Sequence, residues 1–265
     1  MEVMGQPVEK LAKDAACQLW EDLRWYWPAF GNNGIGESNA ISALIRVLQD
    51  RSGSACTKTN RCQGCSGYFF QAYTEAPSTP LTAGENQREP QSAKNRRLDL
   101  VVTWGCREQL EGRLLVEAKR LHNTSTADSL TRDIDRINEF SFIKENNDGA
   151  QVLDKLESDV GLIVALTCDY QLAEWWGGKF CSGTTDSPGR VPKGKWARSW
   201  QDLGDALSGL ADPVGGYEKL PWKELFSEYN ESEESEESEE NEENEENEEG
   251  EYFLYAFFSR SGCSV

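Results

Sequence analysis

The sequence predicts an α/β domain: a mixed central sheet flanked by helices, interrupted near its C-terminus by an acidic insert. Two helical patterns precede a pair of charged, strand-like runs, and a third helical pattern separates these from a wholly apolar run at 160–168. That order requires a sheet covered on both faces. Residues 231–251 contain fourteen Glu and no Lys or Arg, a composition that buries nothing.

The first helix spans 8–25, where Val8, Leu11, Ala12, Ala15, Leu19 and Leu23 recur near one face. Residues 31–36 read as a Gly/Asn turn, and a second helix follows from Glu37 to Gln49. Its Ile41, Leu44, Ile45 and Leu48 keep i, i+3, i+4, i+7 spacing, and Glu37 falls on the same inward stripe. Residues 51–95 read as loop. Two strands, Arg97 to Trp104 and Arg113 to Arg120, flank a turn at 105–112. A helix from Ala127 to Phe140 turns Leu130, Ile134 and Ile137 inward, and the apolar run at 160–168 reads as a strand buried on both faces. Residues 175–200 are aromatic and Gly-rich, 206–210 suggest a short helix, and Tyr252 to Phe258 suggest a final strand.

Between the last two lies a repeat of Glu-Glu-Ser and then Glu-Glu-Asn at period three, which repels itself and is expected to be disordered. Removing those fourteen Glu from the 46 acids leaves 32 against 27 bases. The net charge of −19 therefore belongs mostly to one segment and does not exclude a polyanionic partner for the rest. The expected division is a domain over 1–229, a Glu-rich linker over 230–251 and a strand within 252–265 that returns to the domain.

Side chains alternate along strands, so Arg97, Asp99, Val101 and Thr103 share one face, as do Arg113, Leu115, Glu117 and Lys119. If the two strands form a hairpin, Asp99 lies opposite or diagonal to Glu117 and Lys119, although a one-residue slip would separate the faces. Charges inside apolar strands are costly unless paired or bound to a cation. Two carboxylates and a backbone carbonyl, that of Ala118, suit Mg2+ or Mn2+. Such a cation activates water and offsets charge on a phosphodiester. Lys119 would orient or deprotonate the attacking water, and Glu37 would hold a second metal or its water.

Gly-Glu-Ser-Asn at 36–39, Leu-Asp-Leu at 98–100, Glu-Ala-Lys at 117–119, the following helix and the buried strand at 160 together resemble the PD-(D/E)XK nuclease superfamily. The resemblance covers about residues 35–170 and implies a restriction-endonuclease-like fold. It also implies a catalytic set of Glu37, Asp99, Glu117 and Lys119. Leu98 stands where the motif's name has Pro, a position at which many members vary. The expected activity is metal-dependent hydrolysis of DNA phosphodiesters, with a homodimer favoured if a one-site chain cuts both strands. Two other classes compete. One is a non-catalytic nucleic-acid-binding protein on the same fold. The other is an acidic interaction or DNA-mimic protein whose active element is the Glu repeat. Separately, the plain reading of the hairpin is a charged face that meets solvent, with Glu117 and Lys119 as ordinary surface residues.

Three secondary signals remain. Cys56, Cys62 and Cys65 form a C-x5-C-x2-C cluster that with a fourth thiolate would hold zinc or an iron-sulfur cluster; the competing expectation is plain loop thiols. Arg96, Arg97, Lys193, Lys195 and Arg198, with Lys179, Arg190, Trp196 and Trp200, would form a basic, aromatic surface for a phosphate backbone. Alternatively the Trp residues pack on the core. The single His, His122, rules out multi-His metal sites within the chain. No secretory leader opens the sequence and no apolar stretch approaches the roughly 20 residues that span a bilayer, so a cytoplasmic protein without membrane contact is expected.

Overall fold

The computed structural model describes residues 1–25, 35–52, 69–77, 97–106, 109–140, 142–146, 149–153, 156, 158–180, 197–220 and 250–260. A small hairpin, β1 (Glu2–Val3) and β2 (Gln6–Pro7), leads into α1 (Val8–Trp25), and α2 (Glu37–Arg51) packs beside it. Then come β3 (Phe69–Pro77), β4 (Arg97–Cys106) and β5 (Gln109–Arg120), an antiparallel meander. α3 (Thr124–Glu139) and a separate hairpin of β6 (Phe142–Asn146) and β7 (Gly149–Leu153) carry the chain across to β8 (Asp159–Thr167), which pairs parallel with β5. α4 (Tyr170–Gly178), α5 (Ala197–Ser208), β9 (Val214–Leu220) and β10 (Glu251–Ser259) complete the chain. The main sheet has six strands in the order β3-β4-β5-β8-β10-β9, parallel only at β5–β8 and therefore mixed, as expected.

The alternation of side chains separates two cores. Leu114, Val116 and Ala118 of β5, with Val160, Leu162, Val164 and Leu166 of β8, face α1 and α2. Leu115, Ile163, Ala165, Leu254 and Phe258 face α3, α4 and α5. β8 is buried at every position, which explains its unbroken apolar run. Fully burying one such Val, Leu or Ile is worth roughly 1.5–3 kcal/mol, so two cores on one sheet give the central strands most of their hold.

Several elements differ from expectation. The hairpin turn is tighter: β4 continues to Cys106 and β5 begins at Gln109, with a bulge between Trp104 and Gly105. Gly105 and Gly112 are strand residues, not turn residues. Gly112 is Gly because the Trp104 ring lies on it: a Cβ there would sit 2.3 Å from Trp104 Cζ2. β3 falls inside the expected loop; it is an edge strand whose residues 71–74 are all exposed, so no apolar alternation marks it. β9 carries two Gly and is half-buried throughout its first five residues. α4 buries Leu172, Ala173, Trp175 and Trp176, leaving no clear stripe. α5 begins at Ala197, well before the expected 206.

One end of the sheet gathers the ends of the parallel pair. Arg120 pairs with Leu166, Thr167 with Tyr252, and Leu220 with Glu251. α3 and α4 both start from this end. The segment 221–249, which holds the Glu repeat, lies outside the described residues, but its flanks, Leu220 and Gly250, are both placed here. No helix among the described residues is long and apolar enough to cross a membrane.

Candidate active site

Asp99 sits near the start of β4, where the ladder to β5 ends with the pair Leu100↔Val116. Beyond that pair the Asp99 side chain takes over: its Oδ2 accepts the Ala118 N–H at 2.8 Å. In an antiparallel ladder a residue exchanges both its bonds with one neighbour. The Ala118 carbonyl therefore faces the Asp99 side of β5. The same register brings Glu117 beside Asp99, close enough for the Asp99 charge to act on the Glu117 carboxyl.

Glu117 is 1% exposed. For Glu117, the alternative of a charged hairpin face meeting solvent does not hold. Burial, and then the negative charges of Asp99 and Asp133, push its carboxyl up to about 9; Arg136 opposes the shift. Arg136 Nη1 donates to Glu117 Oε1 at 2.6 Å.

Lys119, two residues on and on the same face, is partly exposed and lies between two carboxylates. Its Nζ is 3.8 Å from Glu37 Oε2 and 3.8 Å from Asp133 Oδ2. Glu37 reaches this position because α2 begins immediately after Gly36, with no side-chain cap of its own, and points its first turn at the end of β5. There its Oε1 accepts the Arg120 N–H at 2.8 Å. On the opposite face Arg120 Nη1 pairs with Glu251 at 2.5 Å and donates to the Ile35 carbonyl at 3.1 Å. The four residues read from sequence are thus brought to one place, from α2, β4 and β5.

Three further residues escaped that reading. Asp133 of α3 is 1% exposed; its Oδ1 accepts from Arg136 Nη2 at 2.7 Å, and its Oδ2 has no hydrogen-bond partner. Burial raises its pKa, with Arg136 and Lys119 opposing. Asp133 falls inside the apolar stripe of Leu130, Ile134 and Ile137, the same signal that singled out Glu37. Arg136 carried no signal. Glu251 was hidden as the last Glu of the acidic run, yet it is buried, belongs to β10 and has its carboxyl raised by burial against the pull of Arg120.

Among the described residues no group of three or more His, Cys, Asp or Glu side chains is disposed to hold a metal ion. The donor set is a pair, Asp99 and Glu117, plus a main-chain oxygen. Mg2+ is commonly held by one or two carboxylates and keeps several waters, so this set fits it in donor chemistry and in number.

The remaining expectations separate. Cys56, Cys62, Cys65, Arg96, Arg190, Lys193, Lys195 and Trp196 lie outside the described residues. Cys17 and Cys168 are free and exposed. Arg97 is exposed at the start of β4, and Arg198 is 91% exposed, 3.8 Å from Asp202 one turn on. Trp200 is a core residue, edge-on to Trp175 with ring centroids 6.0 Å apart, and Lys179 lies over the Trp175 ring. For Trp200, packing is thus the role seen. His122 is exposed just after β5, its Nδ1 3.3 Å from the Arg120 carbonyl oxygen. No protein-family model, curated protein or solved structure matches this chain.

Proposed function

We propose that this chain is a Mg2+- or Mn2+-dependent nuclease that hydrolyses DNA phosphodiesters, built on a restriction-endonuclease-like fold. One observation carries the reading. A carboxyl pair at the open end of a β-ladder, half-buried Asp99 and buried Glu117, lies beside a lysine suspended between further carboxylates. The order α2, β4, β5, α3, β8 around that set supports it, since the family resemblance demands a helix-borne Glu, a strand Asp, a strand Glu-x-Lys, a helix and a buried strand.

Asp99, Glu117 and the Ala118 carbonyl would hold the cation. Bound there, the cation supplies positive charge that acidifies a water and stabilises the phosphoryl oxygens. Lys119 orients the attacking water and offsets charge developing on the phosphoryl group. Water attacks phosphorus in line and the ester oxygen leaves opposite. Glu37 braces Lys119 from the α2 side and would be the residue to hold a second cation or its water. Arg136 holds Glu117 in its rotamer, so the acid pair is organised before substrate arrives.

The test is cleavage of plasmid and linear DNA with Mg2+, Mn2+ or EDTA. Cutting should require the cation. It should disappear in Asp99→Ala and fall about 10²–10⁴-fold in Lys119→Ala. Full metal-dependent cutting by both variants would overturn the site. No cutting by the wild type under either metal would favour a binding role for the fold.

A further inference from the structure

α3 reaches the site with two side chains one turn apart. Arg136 donates to Glu117 Oε1 at 2.6 Å and to the Arg97 carbonyl at 3.1 Å, so this one guanidinium spans β4 and β5. Its other amino group donates to Asp133 Oδ1 at 2.7 Å. That contact fixes the Asp133 carboxylate and leaves Oδ2 turned to Lys119 Nζ at 3.8 Å. Oδ2 is buried and has no hydrogen-bond partner. A buried carboxylate oxygen without a partner is expensive, and the nearby ammonium is the charge that offsets it. At 3.8 Å the pairing is beyond hydrogen-bond reach, so Lys119 is held by charge from two sides, α2 and α3, without being locked to either.

We propose that Asp133 is a positioning residue for Lys119: together with Arg136 it makes α3 the element that sets the distance between the lysine ammonium and the Asp99–Glu117 pair. The consequence for turnover rests on the nuclease reading; the positioning itself does not. A lysine set this way keeps its ammonium near the acids while retaining the freedom to follow a phosphoryl group. Asp133 need touch neither substrate nor cation. Removing its charge while keeping its shape should displace Lys119 and leave binding intact.

The experiment uses the full chain labelled with 13C at lysine Cε, the Lys119 signal being assigned by its loss in Lys119→Arg. In the wild type the two Hε protons of Lys119 should be inequivalent and the Cε more ordered than in exposed lysines. In Asp133→Asn, which keeps an acceptor for Arg136, the two proton signals should merge and the Cε should become mobile. In parallel, kcat for DNA cleavage should fall about 100-fold, as expected for a misplaced catalytic group, with KM for DNA and the Mg2+ requirement unchanged. Equal mobility of Lys119 and surface lysines in the wild type would overturn the proposal without any variant, should Asp133→Asn fail to fold. An unchanged Lys119 signal in the variant would overturn it too, as would a fall in kcat/KM arising from KM alone. If the wild type cuts no DNA yet the Lys119 signal depends on Asp133, the positioning stands and the nuclease reading fails.

Discussion

Glu117 shows how much one side chain's surroundings can change its chemistry. In water it would be ionised near neutrality; buried beside Asp99 and Asp133 it holds its proton up to about pH 9. The sign of the stability effect follows. Below about pH 4.5 both folded and unfolded chains carry the proton. Between there and about 9 the unfolded chain has released it and the folded chain has not, so this group's contribution to stability is lost as pH rises. Melting temperature without metal should therefore fall more steeply from pH 5 to pH 9 in the wild type than in Glu117→Gln. Parallel curves would contradict a protonated Glu117. A cation must displace that proton, so added Mg2+ should raise the wild-type melting temperature more at pH 8.5 than at pH 6. Asp133 and Glu251, also raised by burial, act in the same direction, which is why the comparison must be with the single variant.

At the scale of elements, α3 must be held firmly for Asp133 and Arg136 to meet β5. Its N-terminus is closed by a capping box, Asn123 accepting from the Thr126 N–H and Thr126 from the Asn123 N–H. Its C-terminal carbonyls, Asn138 and Phe140, accept from Arg260, the residue after β10. Arg260 is in turn 3.5 Å from Asp159, which receives two 2.7 Å bonds from Arg113. All three side chains are at most 2% exposed. Burial brings Arg260 down to about 10 against the pull of Asp159, so it stays charged at neutral pH. This buried triad ties α3 to the place where the β5–β8 pairing begins. Asp159→Asn would remove the buried carboxylate that Arg113 and Arg260 share and should cost about 3–5 kcal/mol in urea denaturation. A cost below about 1 kcal/mol would mean that the triad does not hold the helix.

Over the whole molecule, the acidic run connects Leu220 to Glu251, residues paired across β9 and β10. Treated as a flexible loop, halving its length should change stability by only about 0.6 kcal/mol. A Glu-run variant shortened by half and keeping Glu251 should therefore melt within a few degrees of the wild type and cut DNA at the same rate. A faster cut would instead make the run an inhibitor of the site near which its flanks lie. The α/β class, α1 from its first to its last residue, the strands at 97, 113, 160 and 252, and the set Glu37, Asp99, Glu117 and Lys119 were all legible in the sequence. Each rests on a period or a charge within an apolar run, and such signals act over a few residues. β3 and β9 were not legible, because edge strands need no buried face. Nor was the register, which depends on a bulge at Trp104 and a ring seated on Gly112. The sequence alone determined which chemistry-bearing side chains the chain carries and which faces of its elements they occupy. Only the tertiary structure decided that burial beside Asp99 and Asp133 raises the Glu117 carboxyl, that Asp133 faces Lys119 and that Glu251 leaves the acidic run for the sheet. Desolvation and charge pairing depend on what packs from distant parts of the chain, and no local pattern encodes that.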